Sequence, residues 1–140
     1  MKLLIVVSSL ACFIFFSCSN KGENTLVLSN HDAYAFPVEN GWEVNTSVIV
    51  KGFNQETNNG NFSAKLAYTV DLVKLSGDTV KSIHGDSIEK EESEEMADIP
   101  VDAQILMDST YTSGKYTIIL NIKDNISGSE ISSSKEFELE

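Results

Sequence analysis

Two histidines, His31 and His84, and many carboxylates are the side chains of this sequence best suited to catalysis or metal binding. The histidines are far apart in the chain, and neither has the neighbouring ligands of a zinc or copper site. The sequence contains no Gly-x-Ser-x-Gly nucleophile elbow and no glycine-rich phosphate loop. No spacing singles out one pair of carboxylates for acid–base chemistry. We therefore predict a protein that is not an enzyme and uses no cofactor or metal.

The densest run of carboxylates lies in residues 84–98, where a single lysine interrupts the acids. Most of these acids are glutamates, without the alternating Asp or Asn and the glycine turn that are typical of calcium loops. One interpretation is a solvated loop or a short helix over a sheet edge, capped by Asp86 or Ser87. The other is a surface for a basic partner or for calcium, formed by Glu89, Glu91, Glu92, Glu94 and Glu95.

The net charge restricts the class of partner. The chain has 21 acidic and 10 basic residues, a formal charge of −11, and every basic residue is a lysine. Nucleic acids are usually bound by arginine on a positive face, so the sequence argues against a nucleic-acid partner. An acidic surface also repels anionic lipid headgroups, while it favours solubility or a basic partner.

The beginning of the chain has the pattern of a secretory signal. Lys2 is followed by an apolar run over residues 3–16. This run is shorter than the roughly 20 residues that a membrane-spanning helix needs. A cation, a short apolar run and a small residue before a cleavage site are typical of a signal that is removed from the mature protein.

The sequence Phe15-Phe16-Ser17-Cys18 resembles the lipobox of bacterial lipoproteins, with Phe15 where the motif usually has leucine. Cys12 fits less well because Ser9 occupies the apolar position of the motif. An ordinary secretory signal is the alternative. The resemblance implies cleavage before Cys18, a lipid on its sulfur and acylation of its new amino group. Because Ser19 follows the cysteine, where an aspartate would retain many lipoproteins in the inner membrane, the resemblance implies the outer membrane or the cell surface.

These predictions divide the chain into three parts. Residues 1–17 are the signal peptide, residues 18–24 are the lipidated cysteine with a flexible tether, and residues 25–140 are one domain. The only other cysteine lies in the signal peptide, so the mature chain would form no internal disulfide. The domain would then be stabilised by packing alone.

Alternation of apolar and polar residues predicts an all-β domain. The alternation is strongest at residues 62–74, 99–107 and 114–140, the last of which reads as two strands joined by a turn. Further strands are predicted at 25–29, 43–53 and 79–84, whereas 31–42 and 54–61 are predicted to be irregular. About seven strands at this spacing favour an antiparallel β-sandwich over helices or βαβ units.

The sequence SGKYTI at residues 113–118 resembles the tyrosine corner of immunoglobulin-like domains. In those domains a tyrosine near the start of the penultimate strand bonds to nearby backbone, and Tyr116 occupies that position. Ile118 stands where antibody domains have a disulfide cysteine, so the resemblance is to bacterial immunoglobulin-like domains. It covers residues 42–140 and implies an immunoglobulin-like β-sandwich without implying a function.

The aromatic residues Tyr34, Phe36 and Trp42 have two interpretations. They either cover an open end of the core or form an exposed binding patch. The sequence as a whole predicts a lipid-anchored cell-envelope protein that acts as a non-catalytic binding or accessory module, with an envelope protein or a glycan as its partner. The alternative is a surface lipoprotein that binds calcium or a glycan.

Overall fold

The computed structural model describes residues 24–140. The predicted signal peptide, Cys18 and the residues of the predicted tether before Asn24 lie outside the described residues. Residues 24–140 contain eight β-strands: β1 (Val27–Val38), β2 (Gly41–Lys51), β3 (Glu56–Asn58), β4 (Asn61–Val73), β5 (Thr79–Glu92), β6 (Asp98–Asp108), β7 (Gly114–Asp124) and β8 (Glu130–Leu139). This part of the chain contains no helix, and so none that is long and apolar enough to cross a membrane.

The strands form two antiparallel sheets. The smaller sheet has the order β1-β2-β6. In the larger sheet β4 lies between β5 and β7, and β8 pairs with the outer edge of β7. The short β3 pairs with the first residues of β4, on the edge that β7 occupies farther along. This arrangement confirms the predicted all-β antiparallel sandwich, with eight strands rather than about seven.

The core lies between the two sheets and is built from alternate residues of the strands. β6 shows the rule most clearly, because every second residue from Ile99 to Met107 is buried and the residues between them are exposed. The large side chains that are fully buried include Phe53, Leu66, Leu72, Ile99, Ile118, Leu120, Ile122 and Leu139. Full burial of each such side chain contributes about 1.5–3 kcal/mol. Residues 24–140 contain no cysteine, so packing stabilises this domain without a disulfide.

The tyrosine-corner residue closes one end of this core. The Tyr116 hydroxyl donates a hydrogen bond of 2.8 Å to the carbonyl of Thr112, just before β7. Its ring is 3% exposed and stacks on Phe137 of β8, with ring centroids 5.9 Å apart. This bond ties the segment before β7 to the core, which is the geometry of a tyrosine corner.

The prediction that residues 31–42 are irregular is wrong. β1 continues to Val38, and a two-residue turn leads to Gly41 at the start of β2. A bulge between Ser29 and Asp32, where Asn30 has a φ of 55°, interrupts the alternation. Because the bulge reverses which residues face the core, the pattern on either side of it does not read as one strand.

The prediction of a loop or helix at residues 84–98 is wrong for residues 84–92 and holds only for the turn at residues 93–97. β5 runs to Glu92 and pairs with β4 along nearly its whole length. Glu and Lys have low strand propensity, but the hydrogen bonds to β4 and the exposed position of an edge strand outweigh it. The predicted loop at 54–61 likewise contains β3 and a hairpin turn, in which Asn59 and Gly60 have φ of 49° and 85°.

Candidate functional site

Four large apolar side chains are exposed on the outer face of the smaller sheet. Tyr34, Phe36 and Val38 alternate on β1 and are 57%, 41% and 39% exposed, and Leu106 on β6 is 73% exposed. The Tyr34 and Phe36 rings are stacked, with centroids 6.5 Å apart and planes 24° apart. We call these four side chains the apolar face. An exposed group of this kind on a small domain is typical of an interaction site.

Polar side chains of β2 and β6 lie in the same rows as the apolar face. Strand pairing places Glu43 between Phe36 and Leu106. In the next row, Asn45 and Gln104 follow Tyr34 across the sheet. The Asn45 amide donates a hydrogen bond of 3.1 Å to the Glu43 carboxylate, which holds both polar groups between the apolar ones.

Two shallow depressions border the apolar face. One has a volume of about 320 Å³ and runs between Tyr34, Asn45 and Asp102. The other, about 560 Å³, lies at the end of the sandwich between Val38, Leu106 and Trp42. Trp42 is half-buried and packs against the core, and its indole N–H donates to the carbonyl of Tyr111 at 3.3 Å. The two interpretations of the aromatic residues therefore apply to different residues, with Trp42 covering the core and Tyr34 and Phe36 exposed.

The glutamates predicted to bind a partner lie elsewhere, at the edge of the larger sheet. Glu89, Glu91 and Glu92 are on β5, and Glu94 and Glu95 are in the turn that follows. All five are exposed, and the strand alternation separates Glu92 from Glu89 and Glu91. Among residues 24–140 no three His, Cys, Asp or Glu side chains converge as a metal site would need. A role for these glutamates in binding a partner stays a prediction.

His31 lies in the β1 bulge and connects the two sheets. Its Nδ1 atom is 2.8 Å from the Ser133 hydroxyl of β8, and its Nε2 atom is 3.1 Å from the Thr46 hydroxyl of β2. Thr46 donates its own proton to the carbonyl of Asp32, at 2.9 Å. Thr46 must then accept from Nε2–H, which leaves Nδ1 to accept from Ser133. Both ring nitrogens of His31 are therefore bonded within the domain.

This pattern of bonds fits a neutral His31. Burial lowers the pKa of His31, the nearby Lys135 ammonium lowers it further, and Asp32 acts in the opposite direction. An imidazole that accepts from a serine hydroxyl is also the arrangement of a nucleophile and its base. Here the group that orients the imidazole is the Thr46 hydroxyl rather than a carboxylate, and the contact joins strand edges. We therefore interpret it as a structural clamp between the sheets.

Two aspartates, Asp124 and Asp71, are buried, and burial was predicted for neither from the sequence. Asp124 is 1% exposed and accepts from the backbone N–H of Asn54 and Ile126 and from the Ser127 hydroxyl, each at 2.8 Å. Asp71 is 3% exposed, and it accepts from Lys81 Nζ at 2.8 Å and from other donors of β5 and β7. An aspartate that caps a turn has a recognisable sequence context in Asp124-Asn-Ile-Ser-Gly. Asp71 has none, because its partners come from other strands.

Comparison with protein-family models and with curated proteins finds no match to this chain. The inference of function therefore depends on the geometry of the candidate sites. Asp71, Asp124 and His31 each belong to a separate network, and within each network the polar groups bond to one another. The apolar face, in contrast, has no covering element among the described residues.

Proposed function

We propose that this protein is a lipid-anchored, non-catalytic binding module of the bacterial cell envelope, which contacts its partner through the apolar face. The observation that carries the proposal is the exposure of Leu106, at 73%, beside Phe36 and Tyr34 on one side of a sheet. Water contact with these exposed apolar side chains is unfavourable, so a partner that covers them gains free energy.

The position of the apolar face is consistent with an anchor at Cys18. The described chain enters the domain just before Val27, and Phe36 lies nine residues farther along β1. At about 3.3 Å per residue, this places Phe36 on the order of 30 Å from the start of the strand. A domain tethered through Cys18 would therefore hold the apolar face away from the membrane and toward a partner.

The anchor is tested by replacing the cysteine that the lipobox resemblance identifies. We expect Cys18→Ser to abolish incorporation of labelled palmitate and to move the protein from the membrane fraction to the soluble fraction of bacteria. Cys12→Ser is the matched control, and this variant should remain lipidated in the membrane. Lipid labelling that persists in Cys18→Ser would contradict the proposed anchor.

The contact surface is tested by placing a photo-crosslinking amino acid at position 106 of the full chain in bacterial cells. We expect irradiation to give a discrete adduct from position 106. Position 27 is the control, because Val27 is also exposed, at 49%, but lies at the other end of β1. No adduct at 106, or equal adducts at both positions, would contradict the assignment of the apolar face.

A glycan is the second candidate for the partner. It is favoured by the row in which Asn45 and Gln104 lie beside Tyr34, because amides and an exposed ring offer both hydrogen bonds and a flat apolar surface to a sugar. Digestion of the adduct from position 106 with glycosidases and with proteases would distinguish a glycan from a polypeptide.

A further inference from the structure

We propose that the occupant of the apolar face is a cationic segment of another polypeptide, with lysine or arginine side chains between apolar ones. This inference rests on the proposed function, in which the apolar face is the contact surface. It goes further by naming the charge of the partner, which follows from the residues that surround the four apolar side chains.

The charges of the smaller sheet are almost all negative. Its three strands contain one lysine, Lys51, which lies at the end of β2 remote from the apolar face and opposite Asp98. The carboxylates of the same strands are Asp32, Glu43, Asp98, Asp102 and Asp108. The half of the sheet that holds the apolar face therefore has acids and no lysine on its strands.

Three of these acids lie directly around the apolar face. Glu43 lies between Phe36 and Leu106, while Asp102 and Asp108 border the two depressions. None of the three takes part in a salt bridge within residues 24–140, whereas Asp32 at the edge pairs with Lys135 at 3.8 Å. The carboxylates beside the apolar face therefore have no cationic partner within residues 24–140. A basic molecule bound to the face would supply one.

The side chains fit a cation with an apolar stem. Lysine and arginine place their charge over aromatic rings within about 6 Å of the centroid, and their alkyl stems cover apolar surface. Tyr34 and Phe36 offer such rings, and Glu43 offers a carboxylate one strand away. Complementary charge also speeds association and selects the partner.

The same charges disfavour other occupants. A second copy of this chain would bring a further −11 charge to the contact, and anionic lipid or nucleic acid would be repelled in the same way. A neutral glycan would leave Glu43, Asp102 and Asp108 without a cation. A cationic polypeptide is the occupant that uses both the apolar and the acidic side chains of the face.

The experiment uses the purified full chain and three probes: an alternating lysine–leucine peptide, a glutamate–leucine peptide of equal length and a neutral oligosaccharide. Trp42, the only tryptophan of the chain, shares a depression with Leu106 and reports binding by its fluorescence. We expect saturable binding of the lysine peptide alone. Its affinity should fall about tenfold between 50 and 300 mM salt because exposed charges are screened.

Variants separate this contact from general attraction to an acidic protein. Two variants should each weaken binding of the lysine peptide about tenfold. Leu106→Ser removes an apolar part of the contact, and the double variant Glu43→Gln with Asp102→Asn removes two of its acids. The matched control is Glu89→Gln with Glu91→Gln, which removes the same charge from β5 and should leave the affinity unchanged. Thermal melts establish that each variant is folded.

Three outcomes would overturn the inference. The β5 control could weaken binding as much as the variants of the apolar face do, or the glutamate peptide or the oligosaccharide could bind as tightly as the lysine peptide. The third outcome is that the lysine peptide does not bind. The crosslink at position 106 separates this failure from that of the proposed function. An adduct with an acidic protein or a glycan would keep the contact surface and reject the cationic partner. No adduct would reject both.

Discussion

Asp124 joins two separate turns of the domain through a single carboxylate. It accepts from the backbone of Asn54, in the loop after β2, and from Ile126 and Ser127 in the turn between β7 and β8. Burial by itself raises the pKa of Asp124, but the bonds from Asn54, Ser127 and Ile126 together lower it below the ordinary value. The ionised carboxylate is therefore the form that stabilises the fold.

Asp124→Asn should lower the free energy of unfolding at pH 7 by about 1–3 kcal/mol, because the buried N–H donors lose a charged acceptor. Urea unfolding from pH 7 to pH 3 measures the effect. Since the folded pKa is lowered, the wild-type contribution is complete above the unfolded pKa of about 3.9 and is lost as pH falls through the folded pKa. The stability difference between wild type and variant should shrink over that interval. The exposed control Glu138→Gln should show no comparable loss at pH 7.

The His31 clamp predicts a different pH dependence. Its folded pKa is lowered by burial and by Lys135, so the unfolded chain binds the proton more tightly. The stability due to neutral His31 is complete above the unfolded pKa of about 6.5 and declines as pH falls from there toward the folded pKa. We expect His31→Gln to reduce the loss of stability between pH 7.5 and pH 5.5 measured by urea unfolding. An unchanged pH profile in this variant would contradict the assigned protonation.

At the scale of the single strand, β7 depends on the bond of its tyrosine corner. Tyr116→Phe removes the hydroxyl that donates to Thr112 and keeps the ring that stacks on Phe137. We expect a loss of about 1 kcal/mol in the free energy of unfolding, since the part-buried hydrogen bond to the Thr112 carbonyl is lost. Tyr34→Phe is the control, because its ring is 57% exposed and its hydroxyl reaches water. Equal effects of the two substitutions in urea unfolding would argue against the role of Tyr116.

The glutamates of β5 are expected to keep the edge of the larger sheet from pairing with another chain. β5 presents unpaired backbone groups along its outer edge, and charged side chains discourage such an edge from pairing with another chain. Replacing Glu89, Glu91 and Glu92 by glutamine should therefore increase self-association, measured by light scattering at rising concentration. Neutralising Glu39, Asp78 and Glu140, which are exposed and lie outside the strands, removes equal charge and is the control. Deletion of residues 89–95 would not test whether these glutamates bind a partner, because it also removes residues of β5 that pair with β4.

The strands that the sequence predicted well are those with regular alternation. Every second residue is buried from Ile99 to Met107 on β6 and from Tyr116 to Ile122 on β7. The pattern alone therefore identifies the inner faces of these two strands. β1 was not recognised as one strand because the bulge at Asn30 reverses the alternation. For β5 only residues 79–84 were predicted as a strand, and the rest was missed because its strand form depends on pairing with β4 rather than on its own residues.

At the scale of the whole molecule, local pattern offered Tyr34 and Phe36 as a possible exposed patch but could not predict that Leu106 joins them. Tyr34 and Phe36 lie in a segment that was predicted to be irregular, and Leu106 is more than sixty residues away in the sequence. Only the pairing of β2 with both β1 and β6 brings them to one face. Composition left solubility and a basic partner open as reasons for the negative charge, and it directed attention to the glutamates of β5 rather than to the few acids around the apolar face.

The charge of −11 also predicts how the whole domain responds to salt. Excess like charge destabilises the compact state by self-repulsion, and salt screens this repulsion over about 10 Å at 0.1 M. We therefore expect the melting temperature at pH 7 to rise between 10 and 300 mM sodium chloride. At pH 4.5, near the pI of the sequence, the net charge is close to zero and the same salt should have much less effect. If the melting temperature instead fell with salt at pH 7, local pairs such as that of Lys81 with Asp71 would outweigh the overall repulsion.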